Sequence, residues 1–402
     1  MDTALVGRAG RYVAQPNGYR AFVPADLPPD PLVVMDQEMW TLLSDADRAL
    51  GWLDGSVEAL PNPDLFVFMY VRKEAVLSSQ IEGTQASLID VLAFEAQALE
   101  PGRPQDVDEV VNYVAAMNYD LARLETLPVS LRLIREIHER LLSGVRGSSR
   151  SPDQFRTSQN WIGASGATLA TAVFVPSSPP EMDRALASWE RFLHDPAPMP
   201  ALIKFGLAHA QFETIHPFLD GNGRAGRLLI TFLLCERQIL HAPLLYLSHY
   251  FKQYRAVYYQ RLQAIRDEGD WESWLTFFLR GVAEVAQEAT VTARRIVTLR
   301  EQHRDLITAR MGRGVGKGLQ LLESLYQRPI VSVPVVSEVT GLAFANASAL
   351  VRQLAGLGLL REITGRKRDR RFSYYSYLAL FDDPAPVDAL SAEAEADRDA
   401  GA

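Results

Sequence analysis

Apolar residues recur at intervals of three and four along most of this chain, the spacing that places them on one face of an α-helix. Between residues 65 and 97, for example, Val71, Ala75 and Val76 share such a face. Gly83 interrupts this stretch, because glycine inside a helix costs about 1 kcal/mol relative to alanine. The pattern predicts a mostly α-helical fold. The predicted helices lie within residues 36–60, 65–97, 106–125, 130–144, 180–194 and 198–215, then in a stretch ending near 239, and within 248–269 and 271–311.

Two parts of the chain depart from the helical pattern. Residues 1–35 contain QPNGY and VPADLPPDPL, and their prolines predict an extended N-terminal arm. Between residues 144 and 180, the short runs NWIG and ATAVFVP have the composition of strands. They are joined by ASGAT, which predicts a small β-hairpin.

The organisation changes again after GRGVGKG, residues 312–318. This run is interpreted as a linker and not a phosphate-binding loop, because Gly318 stands where that motif needs Ser or Thr. Residues 316–380 then read as three helices followed by two strands, the order of elements in a winged helix. Residues 344–356 would be its recognition helix and residues 359–377 its wing. The wing tip is basic and contains Arg366, Lys367, Arg368, Arg370 and Arg371.

Such a basic tip suits contact with nucleic-acid phosphates. The predicted recognition helix offers mainly Asn346 and Arg352 as polar side chains, which is little for reading bases. DNA binding, a solvated turn and docking to a protein therefore stay open. Residues 381–402 are acidic and of low complexity, and they predict a disordered tail.

Composition limits the class of protein. The chain has 402 residues, of which 48% are hydrophobic, so it can bury a large core and form more than one structural unit. Its net charge of -8 gives no overall basic field for nucleic acid. A single cysteine, Cys235, lies in an apolar run, which predicts a buried thiol and a reducing compartment. No signal sequence or membrane span is evident, and a cytoplasmic protein is expected.

The stretch with the most chemistry is HPFLDGNGRAGR, residues 216–227, between two apolar flanks. The flanks predict two helices, with the motif as the loop that opens the second. Gly221 and Gly223 allow unusual backbone angles and close approach of a ligand. The helix N-terminus, together with Arg224 and Arg227, forms a site for an anion.

Two further side chains in this motif indicate the reaction. Asp220 is a hard oxygen ligand, which suits Mg²⁺ that arrives with a nucleotide. His216 is the side chain here that can accept a proton near neutral pH. The residues therefore predict a phosphate ester with a metal ion, and transfer to a nucleophile that His216 deprotonates.

This motif resembles the signature of Fic-domain proteins, His-x-Phe-x-(Asp/Glu)-Gly-Asn-Gly-Arg-x-x-Arg, at every fixed position. The resemblance implies a helical bundle with a β-hairpin flap, and transfer of AMP from ATP to a protein Ser, Thr or Tyr hydroxyl. It makes His216 the general base and Asp220 the Mg²⁺ ligand. Arg224 and Arg227 would orient the β- and γ-phosphates. The nucleotide-binding residues that it implies in the motif are Gly221, Asn222, Gly223, Arg224, Ala225, Gly226 and Arg227.

A second segment, SSQIEG, resembles the inhibitory motif (Ser/Thr)-x-x-x-Glu-(Gly/Asn) of the same family. Here it consists of Ser78, Glu82 and Gly83, within the predicted inhibitory helix at about 65–97. The resemblance implies that Glu82 pairs with Arg227 and excludes the γ-phosphate of ATP from a productive pose. A carboxylate and a phosphate compete for one guanidinium, so such inhibition is physically reasonable.

Two other parts of the site are implied more loosely. The hairpin resembles the flap of Fic proteins, so Gly163 to Phe174 would hold a target segment by main-chain pairing. The alternative is a surface hairpin without function. Tyr258 and Tyr259 would lie near the adenine by family analogy, although packing in the helical core explains tyrosines at this spacing equally well.

The expected organisation is an arm over 1–35, a Fic-type catalytic domain over 36–310, and a C-terminal winged-helix domain over 316–380 before the acidic tail. Expected partners are ATP, Mg²⁺ and a protein with an acceptor hydroxyl, for which the chain itself is one candidate. A homodimer is also expected from the resemblance. Alternatives keep the site but change the reaction, to AMP removal or to transfer of another nucleotide-linked group. A DNA-binding regulator whose Fic body senses nucleotide is a further alternative.

Overall fold

A computed structural model describes residues 7–58, 63–96, 106–164 and 166–381. The chain divides into two compact units, Met1–Val291 and Thr292–Ala402. Helices form most of the described chain, so the predicted mostly α-helical class is confirmed. The helices that begin before the dividing point are α1 (Gln37–Glu58), α2 (Asp64–Ile81), α3 (Leu88–Glu95), α4 (Val107–Arg123), α5 (Leu131–Leu141), α6 (Pro179–His194), α7 (Ala201–Ile215), α8 (Asn222–Glu236), α9 (Ser248–Gln253), α10 (Arg255–Glu268) and α11 (Trp271–Arg310).

The core of the first unit follows from the composition of α7 and α8. Every residue of α7 from Leu202 to Ile215 is buried, and so is most of α8. α7 is thus enclosed on every side, together with polar residues such as Lys204, His209 and Gln211. The motif of residues 216–227 joins these two helices, so its loop is held from both ends by the core of the unit.

The predicted helical stretch at 65–97 is two helices. α2 ends at Ile81, and Gly83 then has a φ of 99°, which glycine adopts without strain. α3 opens with a capping box, in which Ser87 accepts from the backbone of Asp90 while the Asp90 side chain accepts from the backbone of Ser87. Glu82 therefore lies on the turn that ends α2.

The N-terminal arm is more regular than its prolines suggest. Within it, β1 (Gly10–Ala14) and β2 (Arg20–Pro24) form an antiparallel hairpin. The N–H of Phe22 donates to the carbonyl of Val175 at 2.9 Å. The sequence analysis missed this hairpin because Pro16 and Pro24 bound its strands, and do not interrupt their paired interiors.

The predicted flap hairpin consists of one antiparallel bridge, Ile162 to Phe174. The N–H of Ile162 donates to the carbonyl of Phe174 at 2.8 Å. Phe174 is buried, and the guanidinium of Arg266 lies 3.8 Å from the centre of its ring. One end of the flap is thus fixed in the core.

The second unit has the order of elements that the sequence predicts, with one addition. The missed strand, β3, lies between the first two helices and extends the predicted two-stranded pair to an antiparallel sheet of order β3-β5-β4. Its elements are α12 (Val315–Leu325), β3 (Ile330–Ser332), α13 (Val333–Thr340), α14 (Phe344–Gly356), β4 (Arg361–Glu362), β5 (Arg371–Ser373) and α15 (Tyr375–Leu378).

The sequence predicts a linker at the glycine run 312–318, but the structure shows that this run belongs to ordered elements. Gly316 and Gly318 belong to the first turns of α12. A Cβ at Gly318 would lie 2.8 Å from the sulfur of Met311, so glycine allows close packing here. The predicted acidic tail lies outside the described residues, apart from Phe381.

Among the described residues, no single helix combines the length and the apolar run needed to cross a bilayer. α13 and α14 reach those limits only as a pair, and they are bent by 105° at the break between them.

Candidate active site

The loop between α7 and α8 begins and ends in left-handed backbone conformations. His216 has φ 51° and ψ 61° at the end of α7, and Gly221 has φ 76° before α8. Such a conformation is uncommon for a residue with a Cβ, and it persists only where surrounding contacts fix it. Arg156 and Asn160 supply those contacts. They donate from Nε and Nδ2 to the carbonyl of His216 at 3.0 and 3.2 Å.

The imidazole of His216 is held uncharged. The residue is partly exposed, but its Nδ1 is enclosed and has no hydrogen-bond partner among the described residues. Burial of the ring, with Arg266 and Arg156 nearby, lowers the pKa of His216 to about 3. A neutral imidazole has a free lone pair for a proton, which is what a general base requires.

Asn222 is committed to the loop itself. Its Oδ1 accepts from the N–H of Phe218 at 2.8 Å, and its Nδ2 donates to the carbonyl of the same residue at 2.9 Å. The side chain therefore shapes the loop, and the groups of Asn222 that remain for a ligand are on its backbone.

A histidine outside the motif completes the loop. The ring of His138, on α5, stacks on Phe218 with centroids 3.7 Å apart. Its Nε2 lies 2.9 Å from the carbonyl of Asp220, so this nitrogen carries the proton and donates. Burial lowers the pKa of His138 to about 4. His138 therefore packs against the motif, although it lies on a different helix.

Asp220 is partly exposed at the edge of this loop, and its Oδ1 accepts from the N–H of Gly221 at 2.7 Å. No group of three or more potential metal ligands occurs among the described residues. One carboxylate suffices for Mg²⁺ when a nucleotide's phosphates and water provide the other oxygens. The residues present fit a metal ion that is bound together with its ligand.

Arg227 and Glu82 form an ion pair. Nη2 of Arg227 lies 2.7 Å from Oε1 of Glu82, and Nε donates to the hydroxyl of Ser78 at 2.8 Å. Burial opposes ionisation of Glu82, yet Arg227 holds the pKa of its carboxyl below the usual value. A Cβ at Gly223 would lie 2.2 Å from Oε1 of Glu82, so the glycine makes room for this carboxylate.

A buried polar network lies behind the Ser78 end of this contact. The carboxylate of Glu74, also on α2, accepts from the hydroxyl of Tyr113 at 3.1 Å. It also accepts from the backbone N–H of Ser248 at 3.1 Å. Burial raises the pKa of Glu74 to about 7. These contacts join α2 to α4 and α9, and they fix the helix that carries Ser78 and Glu82.

Arg224 also has a carboxylate partner, and it comes from α4. Its Nη1 lies 3.2 Å from Oε2 of Glu109, while its Nη2 lies 3.9 Å from Oδ1 of Asp220. Glu109 also pairs with Arg146 at 3.4 Å. Both arginines of the motif are thus paired with acidic residues.

The remaining predicted site residues are placed differently. Tyr258 is buried and donates its hydroxyl to Nε2 of His209, because Nδ1 of that histidine donates to the carbonyl of Gly226. The side chain of Tyr259 is 41% exposed, and its partial burial, followed by the charge of Glu82, raises its pKa. Ala225 is buried in the first turn of α8, and its N–H donates to the carbonyl of Gly221.

The sequence analysis missed Glu109, Arg156 and Asn160, and it did not link His138 to the motif. Asn160 belongs to QNWIG, a stretch that had been recognised as part of the flap. The other three have no local pattern that marks them, because Glu109 and His138 lie on other helices and Arg156 on an irregular segment, and they meet the loop only in the folded chain.

Comparison with family models defines the class. Residues 128–234 match the model of the Fic/DOC family, and residues 40–122 match the model described as Fic/DOC family N-terminal. The chain therefore carries a Fic/DOC domain, and the match covers the motif and its two flanking helices.

Two insect proteins that are similar to this chain share one name. The protein adenylyltransferase Fic of Aedes aegypti is 31% identical over 254 residues, which are 60% of this chain and 46% of that protein. Its counterpart in Drosophila ananassae is 29% identical over 202 residues, 49% of this chain and 37% of the relative. The chain thus spans less than half the length of these relatives. The crystal structure of a Fic family protein from Desulfovibrio desulfuricans G20 has the same fold, with a TM-score of 0.57 and 20% identity over 85% of this chain and 97% of that one.

Proposed function

We propose that this chain transfers AMP from MgATP to a hydroxyl group of a protein, with the chain itself as one candidate target, and that Glu82 restrains the reaction. The observation that carries this proposal is the loop of residues 216–227, where a neutral histidine, an exposed carboxylate and two buried arginines surround a helix N-terminus. The names of the adenylyltransferase relatives support the choice of donor.

In the proposed reaction, His216 accepts the proton of the attacking Ser, Thr or Tyr hydroxyl. The hydroxyl oxygen forms a bond to the α-phosphorus, the bond from that phosphorus to the bridging oxygen breaks, and pyrophosphate leaves. Arg224 and Arg227 stabilise the negative charge that develops on the leaving phosphates. Mg²⁺, bound to Asp220 and the phosphates, would supply further charge neutralisation.

The Glu82–Arg227 pair supports restraint. A carboxylate 2.7 Å from Nη2 of Arg227 takes the position and charge that a phosphate oxygen needs. ATP must then displace a tethered competitor before Arg227 can bind its phosphates.

Intact-mass measurement after incubation with MgATP tests both parts. We expect a mass gain of one AMP in Glu82→Gly, a weak gain in the wild type, and none in Glu82→Gly with His216→Ala. No gain in any variant, with or without a mixture of candidate target proteins, would contradict the transferase. Loss of a pre-attached AMP that depends on Glu82 would favour removal of AMP as the reaction.

A second candidate function, binding of a nucleic-acid backbone, is favoured by the second unit. Residues 315–381 contain nine lysines and arginines and four acidic residues, whereas the whole chain has 41 basic and 49 acidic residues. A cleft of about 450 Å³ lies between α14 and the loop before β5. Its lining includes Phe344, which is 62% exposed, and Arg352, Lys367 and Arg368.

Fluorescence anisotropy with a labelled 20-base-pair duplex of mixed sequence tests this candidate. Lys367→Ala with Arg368→Ala should weaken binding and reduce the slope of log affinity against log salt by about 1.8, because each phosphate contact contributes about 0.9. Arg313→Ala with Arg328→Ala removes two cations outside the cleft and is the matched control. An equal loss in both double variants would contradict a site in the cleft.

A further inference from the structure

Arg224 is held by a carboxylate that the motif does not contain. Its side chain is 1% exposed, and Glu109, 115 residues earlier in the chain, is 3.2 Å from Nη1. Nη2 faces Asp220 at 3.9 Å, and Nε is enclosed without a hydrogen-bond partner in the described residues. Nη1 of Arg224 is therefore paired with Glu109, while Nη2 still has an N–H group that can donate to a ligand.

Glu109 and Glu82 differ in how they reach their arginines. The side chain of Glu82 is 32% exposed, whereas that of Glu109 is 7% exposed. A ligand that arrives from solvent can displace a partly exposed carboxylate. Removal of Glu109 would leave the buried Arg224 with Asp220, at 3.9 Å, as its remaining carboxylate partner, and a weakly paired buried charge is unfavourable. Glu109 is thus suited to remain bound to Arg224 while the site is occupied.

Glu109 also connects the elements that surround Asp220. It lies in the first turn of α4 and binds Arg146, whose side chain is 62% exposed. That arginine precedes Gly147, where a Cβ would lie 3.0 Å from Oδ2 of Asp220. One carboxylate therefore holds α4, α8 and the segment after α5 in a fixed relation.

We infer that Glu109 is a positioning residue, which anchors Nη1 of Arg224 so that Nη2, on the side of Asp220, faces the β-phosphate of a bound nucleoside di- or triphosphate. This inference rests on the proposed function, which places a nucleotide at the loop. It distinguishes the two arginines of the motif. Arg227 is paired with a displaceable carboxylate and Arg224 with a permanent one.

Calorimetric titration with ATP, ADP and AMP tests the inference, in full-length Glu82→Gly with and without Glu109→Gln. Loss of the oriented guanidinium should weaken binding of ATP and ADP by about tenfold to a hundredfold, the range for a hydrogen bond to a charged group. AMP has no β-phosphate, so its affinity should change less than about twofold. Glu109→Asp should recover part of the ADP affinity, because it restores the charge.

Glu323→Gln is the matched control, because Glu323 also pairs with two arginines, Arg300 and Arg304, but lies in the second unit. It should leave all three affinities unchanged. Equal ATP and ADP affinity with and without Glu109→Gln would overturn the inference. So would equal weakening of all three nucleotides together with a lower unfolding temperature, which would indicate a structural role alone. If the Glu82→Gly parent binds no nucleotide, the proposed function fails, and the inference fails with it.

Discussion

His216 combines an unusual backbone conformation with a buried ring nitrogen, and both depend on its neighbours. Arg156 donates to its carbonyl and also to the carbonyl of Ser177 at 2.6 Å, so one buried guanidinium fixes the loop to the segment before α6. Burial of the ring, and then the positive charges of Arg266 and Arg156, disfavour protonation of the imidazole and lower the pKa of His216. Arg156 therefore both holds the backbone of His216 and helps to keep its ring neutral.

This electrostatic arrangement predicts the acid side of the pH profile. The pKa of His216 is lowered to about 3, so the base is neutral above that value and becomes protonated only as the pH falls through it. For Glu82→Gly, kcat/KM should show no acid limb between about pH 5 and pH 7, since this ratio reports the free enzyme. An acid limb with a midpoint near the ordinary histidine value of about 6.5 would contradict the prediction.

How far the sequence predicts single residues depends on where their partners lie. His216, Asp220 and the two arginines share one segment, so their proximity follows from the spacing alone. The pairing of Glu82 with Arg227 is implied by a family resemblance, and the structure places them in contact. Glu109 carries no such mark, because it reaches Arg224 only through the packing of α4 against α8.

At the scale of elements, α7 and α8 pack closely because of Gly226. A Cβ there would lie 2.4 Å from Oε1 of Glu213 and 3.2 Å from the ring of Phe212. Burial raises the pKa of Glu213 to about 7, so this carboxyl is easily neutralised within the helix contact. The motif glycine therefore has a packing role in addition to its place near a ligand.

A pair of glycine substitutions tests this packing. Gly226→Ala should lower the free energy of unfolding by about 1–3 kcal/mol, the cost of overpacking a core. Gly51→Ala, in an open position on α1 with no atom near its Cβ, should raise it by up to about 1 kcal/mol. Urea unfolding measures both. A destabilisation at Gly51 as large as that at Gly226 would show that close approach is not the cause.

Elements were predictable where their hydrophobic period was long. The helices α4, α6 and α7 lie close to their predicted bounds, because each shows several turns of regular spacing or a continuous apolar run. The strands β1 and β3 have five and three residues, too few for a period to emerge. Within residues 65–97 the sequence analysis treats Gly83 as an interruption of one helix, and it does not identify Ser87 as the cap that starts a second helix.

At the scale of the whole molecule, the motif of residues 216–227 and both carboxylate partners of its arginines lie in the first unit, and the basic cleft lies in the second. Nucleotide binding should therefore stabilise the folded chain by mass action through the first unit alone. The size of this stabilisation depends on how much of the binding free energy is used to displace Glu82.

Thermal unfolding with MgATP measures this cost. A ligand at about 100 times its Kd adds about 2.7 kcal/mol to stability. At one fixed MgATP concentration, Glu82→Gly should show a larger rise in Tm than the wild type, each relative to its own ligand-free value. AMP should raise both by the same amount, because it has no phosphate that reaches Arg227. An equal response of both proteins to MgATP would show that Glu82 does not compete.

Glu82 lies on the same chain as Arg227, 145 residues earlier, and this determines how the restraint depends on the concentration of the protein. A separate inhibitor dissociates when a solution is diluted, and the activity per molecule then rises. A tethered carboxylate keeps a constant local concentration near its arginine, whatever the concentration of the protein. Each molecule would therefore carry its full restraint from the moment it folds, and a cell could not release that restraint by making less of the protein.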